Sequence, residues 1–182
     1  LPILAASLLV KGESVFHNCP RLTDLDCALA LLEHLGCRTQ REGGDIWVDA
    51  SSVTAGDLPR PLMERMRSSL FFLGPLLARL GRCDFFAPGG CALGERPIDL
   101  HLNGFRSLGA VCREDGEGLH LESAGLRGAV IVLPFPSVGA TENLMMAALA
   151  ARGTTILCNA AREPEICDLA GFLRAGGARI FG

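Results

Sequence analysis

Of the eight cysteines in the chain, one is set apart by its neighbours. Cys91 follows Gly89 and Gly90, precedes Gly94, and lies in a loop bounded by Pro88 and Pro97. A thiol among such small residues is accessible, and Arg96, five positions on, supplies positive charge that favours the thiolate. The chemistry this would allow is nucleophilic attack or proton transfer by sulfur. The same residues also describe an inert loop cysteine, and the Gly-Gly-Cys-x-x-Gly pattern alone does not choose between the two.

Two further stretches could hold an anion or a nucleotide. The run Arg96, Pro97, Ile98, Asp99 and Leu100 leads into a helical pattern, so Asp99 is either a helix cap or, with its neighbouring amides, a ligand contact. The turn Ser137, Val138 and Gly139 precedes a helix expected over 141–151, with Thr141 as its cap. Free amides and the positive end of the helix dipole there suit a diphosphate, or simply a capped helix start. Arg67 interrupts an otherwise apolar helical stretch, either as an exposed charge or as a guanidinium directed at phosphate or carboxylate. The acidic residues around Pro164 precede a helix and read as structural.

The elements that must position these residues repeat three times. The first unit, about 1–50, predicts helices over 1–10 and 24–35 and strands over 14–16, 37–41 and 45–49. The second, about 61–123, predicts helices over 61–80 and 99–108 and strands over 83–86, 110–113 and 118–122. The third, 137–182, predicts helices over 141–151 and 166–174 and strands over 154–158 and 178–181. Helical patterns end at Gly12, Gly36, Gly81, Gly109, Gly153 and Gly176–Gly177, where a left-handed residue closes the last turn. The expected fold is α/β (α+β): three helix-and-sheet blocks around a common axis with the helices inside. Between closing glycines the units measure 24 residues, 28, and 23 or 24. The second carries about four extra, in the loop that holds Cys91. A symmetric scaffold that breaks its symmetry in one Gly-rich loop places its site there.

Composition narrows the function classes. The chain of 182 residues carries 17 Lys+Arg against 20 Asp+Glu, a net charge of -3, and no basic run, which argues against nucleic-acid or anionic-membrane partners. Mean hydropathy is +0.32, yet the longest apolar stretches, 1–10 and 70–78, are too short to span a bilayer, which takes roughly 18 to 20 residues. Residues 1–10 lack the basic leader of a signal peptide, and Lys11 stands where a small-residue cleavage site would. With no C-x-x-C pair and no ligand spacing of the four His residues, neither a metal site nor a cofactor is expected, and the cysteines read as reduced, mostly buried cytoplasmic thiols. The first helix has no capping residue before it and the last strand stops one glycine later, so both ends read as cut from a longer chain.

The segments LPILAASLL at 1–9, MRSS at 66–69, PGGCALGERPIDLHL at 88–102, PSVGATENLMMAA at 136–148 and NAAREPEI at 159–166 resemble the UDP-N-acetylglucosamine 1-carboxyvinyltransferase family, the enolpyruvyl transferases of peptidoglycan synthesis. The resemblance implies an inside-out α/β barrel of three repeats, one domain of a two-domain enzyme with its active site in the cleft between them. It implies transfer of the enolpyruvyl group of phosphoenolpyruvate to UDP-N-acetylglucosamine. It also implies that Cys91 is the catalytic proton donor alkylated by the epoxide fosfomycin, and that Arg96 holds phosphoenolpyruvate. By the same resemblance Arg96, Pro97, Ile98, Asp99 and Leu100 bind the nucleotide, Ser137, Val138 and Gly139 the diphosphate, and Arg67 the substrate.

The departures are informative. The family's Lys-Asn pair precedes the segment matched at 1–9, its second domain supplies an Asp base and a further Arg, and Phe135 stands where some members have Lys. The chain alone is therefore expected to be inactive. A non-catalytic UDP-sugar-binding module, a shikimate-type enolpyruvyl transferase and a thiol redox protein are the rival readings; the PGGC loop argues against the second and the lack of C-x-x-C against the third.

Overall fold

The computed structural model describes residues 1–85, 98–116 and 118–182. The chain opens with helix α1 (Pro2–Ala6), which has proline in its first turn and no side-chain cap, and a 3₁₀ turn (Ser7–Leu9). Strand β1 (Glu13–Phe16), helix α2 (Thr23–His34) and strands β2 (Arg38–Glu42) and β3 (Asp45–Asp49) follow. They form an antiparallel sheet of order β1-β3-β2, with Glu13 and Arg38 both opposite Asp49. Alternation along β3 buries Ile46 and Val48 against α2, whose Leu25, Ala28, Leu31 and Leu32 face inward.

The next sheet has the order β4-β5-β7-β6, from β4 (Asp57–Leu58), β5 (Arg82–Phe85), β6 (Val111–Glu114) and β7 (Leu119–Glu122). Its β5-β7-β6 portion repeats the pairing of β1-β3-β2, and β4 adds a parallel edge strand. The helix expected over 61–80 is instead α3 (Arg60–Arg65), a 3₁₀-helix (Arg67–Phe72) and α4 (Leu73–Leu80), broken at the extended Met66. Pro75 explains part of the break: in a continuous helix its ring would clash with the carbonyl of Phe71, and it offers no N–H to bond it. Gly81 closes α4 in the left-handed region at φ 70°, its N–H bonded to Leu77 O at 3.0 Å. Helix α5 (Asp99–Ser107) lies between β5 and β6.

The last sheet pairs β8 (Val130–Val132) in parallel with β9 (Ile156–Cys158), joined through helix α6 (Val138–Ala148); helix α7 (Pro164–Ala175) follows. Two expectations are corrected here. Residues 178–181 form no strand, because no strand among the described residues pairs with them; Arg174 Nε instead donates to Ile180 O at 2.8 Å. The α6 helix begins three residues earlier than expected and is capped by Ser137, not Thr141. Ser137 Oγ accepts from Ala140 N at 3.4 Å, while Thr141 Oγ1 accepts from Ala161 N at 3.0 Å.

All eight residues from Ala140 to Ala147 are buried, so α6 is covered all round and lies at the centre. It packs on α4 and α5, with Phe72, Leu73, Leu76, Leu77 and Phe105 among the most deeply buried side chains. A smaller cluster of Ala6, Met145, Met146, Leu169, Ala170 and Leu173 joins α1, α6 and α7. Of the cysteines, Cys27, Cys37 and Cys83 are buried, Cys19, Cys112 and Cys158 are half-buried and Cys167 is exposed, so the expectation of mostly buried thiols holds only for the first group. Among the described residues no helix is long and apolar enough to cross a membrane.

Candidate active site

The positions singled out from the sequence fall into three groups. Cys91, Arg96 and Pro97 lie outside the described residues. The backbone of Arg67 opens the 3₁₀-helix ahead of α4. Ile98, Asp99, Leu100, Ser137, Val138 and Gly139 sit at the starts of α5 and α6, two helices that pack against one another.

At the start of α5, Ile98 is the N-cap residue and makes no side-chain cap. Asp99 is the first helical residue and exposed, so it is not the cap; its carboxylate faces solvent at the positive end of the helix. Ile98 and Leu100 are half-buried and pack against the core. At the start of α6, Ser137, Val138 and Gly139 are half-buried. Ser137 Oγ takes up the Ala140 N–H, and the amides of Val138 and Gly139 are the first two of the helix, which have no partner in their own turn.

A residue that the sequence did not single out holds these two helix starts together. His101, one turn into α5, is only 7% exposed. A methyl group placed on Gly139 would stand 3.5 Å from His101 Nε2 and 3.8 Å from Phe71 Cε1, so α5, α6 and the 3₁₀-helix that begins at Arg67 meet at this glycine. Burial holds the imidazole below its usual pKa and therefore neutral, while backbone hydrogen bonding to Gly139 and Ile98 pulls the other way. Only the proximity of His101 to Asp99 in the DLHL motif could have suggested it.

The α6 turn is also braced from behind. Asn143 Nδ2 donates to Gly139 O at 3.3 Å, and its Oδ1 accepts from Gly74 N at 2.8 Å. Thr141 ties the helix to the 159–163 loop through Ala161, and Asn159, at φ 57°, donates through Nδ2 to Leu133 O at 2.9 Å. Glu142, 1% exposed, has no hydrogen-bond partner at Oε2 among the described residues. Burial, then the charge of Glu165, pushes its carboxyl up to about 7, against the pull of the amino terminus. No group of three or more His, Cys, Asp or Glu side chains among the described residues could hold a metal ion.

The described arrangement is a pair of helix N-termini packed against one another, suited to binding an anionic, nucleotide-like ligand. The chain matches the EPSP synthase (3-phosphoshikimate 1-carboxyvinyltransferase) family over residues 1–182. It belongs to that family. Among curated relatives, it is 50% identical over 182 residues to UDP-N-acetylglucosamine 1-carboxyvinyltransferase 2 of Caldanaerobacter subterraneus, and 49% identical to UDP-N-acetylglucosamine 1-carboxyvinyltransferase of Desulfatibacillum aliphaticivorans. Each match takes in 100% of this chain and 44% of the relative, so the chain spans less than half the length of these relatives. In structure it is similar to the enolpyruvyl transferase NikO of Streptomyces tendae, with a TM-score of 0.84 and 21% identity over 95% of this chain and 41% of that one. An EPSP synthase of Acinetobacter baumannii follows at a TM-score of 0.63 and 18% identity, over 89% and 38%. The mixed helix-and-strand fold is thus that of the enolpyruvyl transferases.

Proposed function

We propose that the chain is the catalytic-loop domain of an enzyme that transfers the enolpyruvyl group of phosphoenolpyruvate to the 3-hydroxyl of UDP-N-acetylglucosamine, releasing phosphate. The observation that carries this reading is identity of about half the residues, along the whole chain, to relatives bearing that activity as their name. The finer architecture is an inside-out barrel of three repeats, about 1–50, 61–123 and 137–182, with α4 and α6 as inner helices. Catalysis belongs to the longer protein, whose second domain closes over this one in the cytoplasm, at the entry to peptidoglycan synthesis.

In this reading the amides at 137–139 face the diphosphate and the Ile98–Leu100 backbone faces the nucleoside, on two helix starts already packed together. Arg96 neutralises charge on phosphoenolpyruvate, and Arg67 contacts substrate. The sugar 3-hydroxyl oxygen adds to C2 of phosphoenolpyruvate, its proton passing to the Asp base that the resemblance implies in the second domain, while Cys91 delivers a proton to C3. Loss of phosphate from C2, with loss of one proton from C3, restores the double bond as an enol ether.

Mass spectrometry of the full-length protein after exposure to fosfomycin tests the reading. The expected result is a single adduct, on Cys91, formed faster with UDP-N-acetylglucosamine present. The exposed Cys167 is the internal control, since a general alkylating reagent reaches it regardless of ligand. Fosfomycin labelling of Cys167 to the same extent as Cys91 would overturn the assignment of a special thiol.

A further inference from the structure

We propose that His101 is a positioning residue of the sugar-nucleotide site, holding the turn at 137–139 in register with the run at 98–100. The inference rests on the function proposed above and adds a residue to it. Three observations carry it. The ring is more than nine-tenths buried at the junction of the two helix starts. Its Nε2 faces Gly139, the one residue of the turn without a side chain to keep it away. Its Nδ1, on the other edge of the ring, lies buried with no hydrogen-bond partner of ordinary geometry among the described residues, although the backbone of Ile98 interacts with the ring.

A buried ring nitrogen left unpaired is costly, and a histidine serving only as filler would be replaced by an apolar side chain at no loss. Here the imidazole touches backbone on both sides: the end of the nucleotide run at Ile98 and the diphosphate turn at Gly139. Backbone is what binds the ligand in both segments, so the ring fixes the spacing between two sets of amides without touching the ligand. A ligand that spans both segments gains from that spacing; one that occupies a single segment does not.

The test uses the full-length protein and compares UDP, which spans both segments, with uridine, which reaches only one. Binding is measured by calorimetry for the wild type and for His101→Ala, His101→Gln and His101→Asn, each first shown to unfold within a few degrees of the wild type. His101→Ala is expected to weaken UDP and UDP-N-acetylglucosamine by about ten-fold or more, the scale of one buried hydrogen bond, and uridine much less. The KM for UDP-N-acetylglucosamine should rise while that for phosphoenolpyruvate holds. His101→Gln, whose amide reaches the place of Nε2, should restore more binding than His101→Asn, whose amide lies near Nδ1. Equal loss for UDP and uridine, no loss at all, or better rescue by Asn would overturn the inference. If the wild-type protein bound no UDP-sugar, the sugar-nucleotide reading itself would fall, and this inference with it.

Discussion

The side-chain oxygen of Asn143 on α6 accepts the backbone N–H of Gly74 on α4 at 2.8 Å, with both residues buried at the centre of the molecule. Gly74 lies in the first turn of α4, where an N–H has no partner within the helix. Asn143 Nδ2 donates to Gly139 O at 3.3 Å, so one side chain satisfies the start of one central helix and steadies the start of the other. The turn proposed to bind diphosphate is thereby tied to the core.

Replacing Asn143 with Leu strands the Gly74 N–H in a dry interior. The expected loss is about 1–3 kcal/mol, read as a lower denaturation midpoint with an unchanged slope. Gly74→Ala should cost at least as much, because a Cβ there would overlap the backbone carbonyl of Asn143, which cannot move without shifting α6.

Ser137→Ala and Thr141→Ala distinguish the observed cap from the one the sequence suggested. Ser137→Ala removes the Ala140 bond and should cost about 1 kcal/mol of stability. It should also weaken UDP binding in the full-length protein. Thr141→Ala leaves the cap intact and frees Ala161 N instead. Its stability loss should come with faster amide exchange at Ala161, measured by hydrogen–deuterium exchange, and without the same change at Ala140.

Glu142 makes stability depend on pH. Its carboxyl titrates at about 7 in the folded chain against an ordinary 4.5, so the folded state holds the proton more tightly than the unfolded one. The resulting stability is full below about pH 4.5 and is lost as pH rises through about 7. Glu142→Gln should flatten the unfolding-midpoint profile across that range and stabilise the chain at pH 8, by on the order of 2–3 kcal/mol.

His120 bends the same profile by a different route. A hydrogen bond from Nδ1 to Asp84 at 2.7 Å raises its pKa above 6.5, with Asp115 adding at 3.3 Å from Nε2. The charged imidazole links β7 to β5 across the sheet, so its contribution is full below pH 6.5 and is lost as pH rises through the folded value. His120→Gln should remove that segment of the profile and leave the Glu142 segment in place, which a double variant checks by additivity.

What could be read from the chain alone was whatever is encoded locally. The periodicity of Leu25, Leu29 and Leu32 marked α2, the alternation at 45–49 marked β3 at its observed bounds, and the glycines at 36, 81 and 109 marked helix ends. The repeat of sheet order between β1-β3-β2 and β5-β7-β6 follows the repeat of those local signals. The start of α5 at Asp99 was legible as well, because proline clusters where helices begin, whereas the start of α6 was placed three residues too late.

The rest depended on partners far along the chain. Strand β4 has only two residues and exists because Asp57 and Leu58 find β5; the run at 178–181, apolar enough to be a strand, finds no partner strand among the described residues and is none. The apolar run around β8 carried a signal that went unread until its pairing with β9 appeared. Which residue caps α6, which glycine meets His101, and which carboxyl is buried at Glu142 all turn on contacts between distant segments. Propensity and periodicity report a residue's neighbours in sequence, whereas a hydrogen bond from Gly74 to Asn143 exists only once two helices pack. The sequence by itself determined the elements and their family; the tertiary structure decided which atoms hold the candidate site in place.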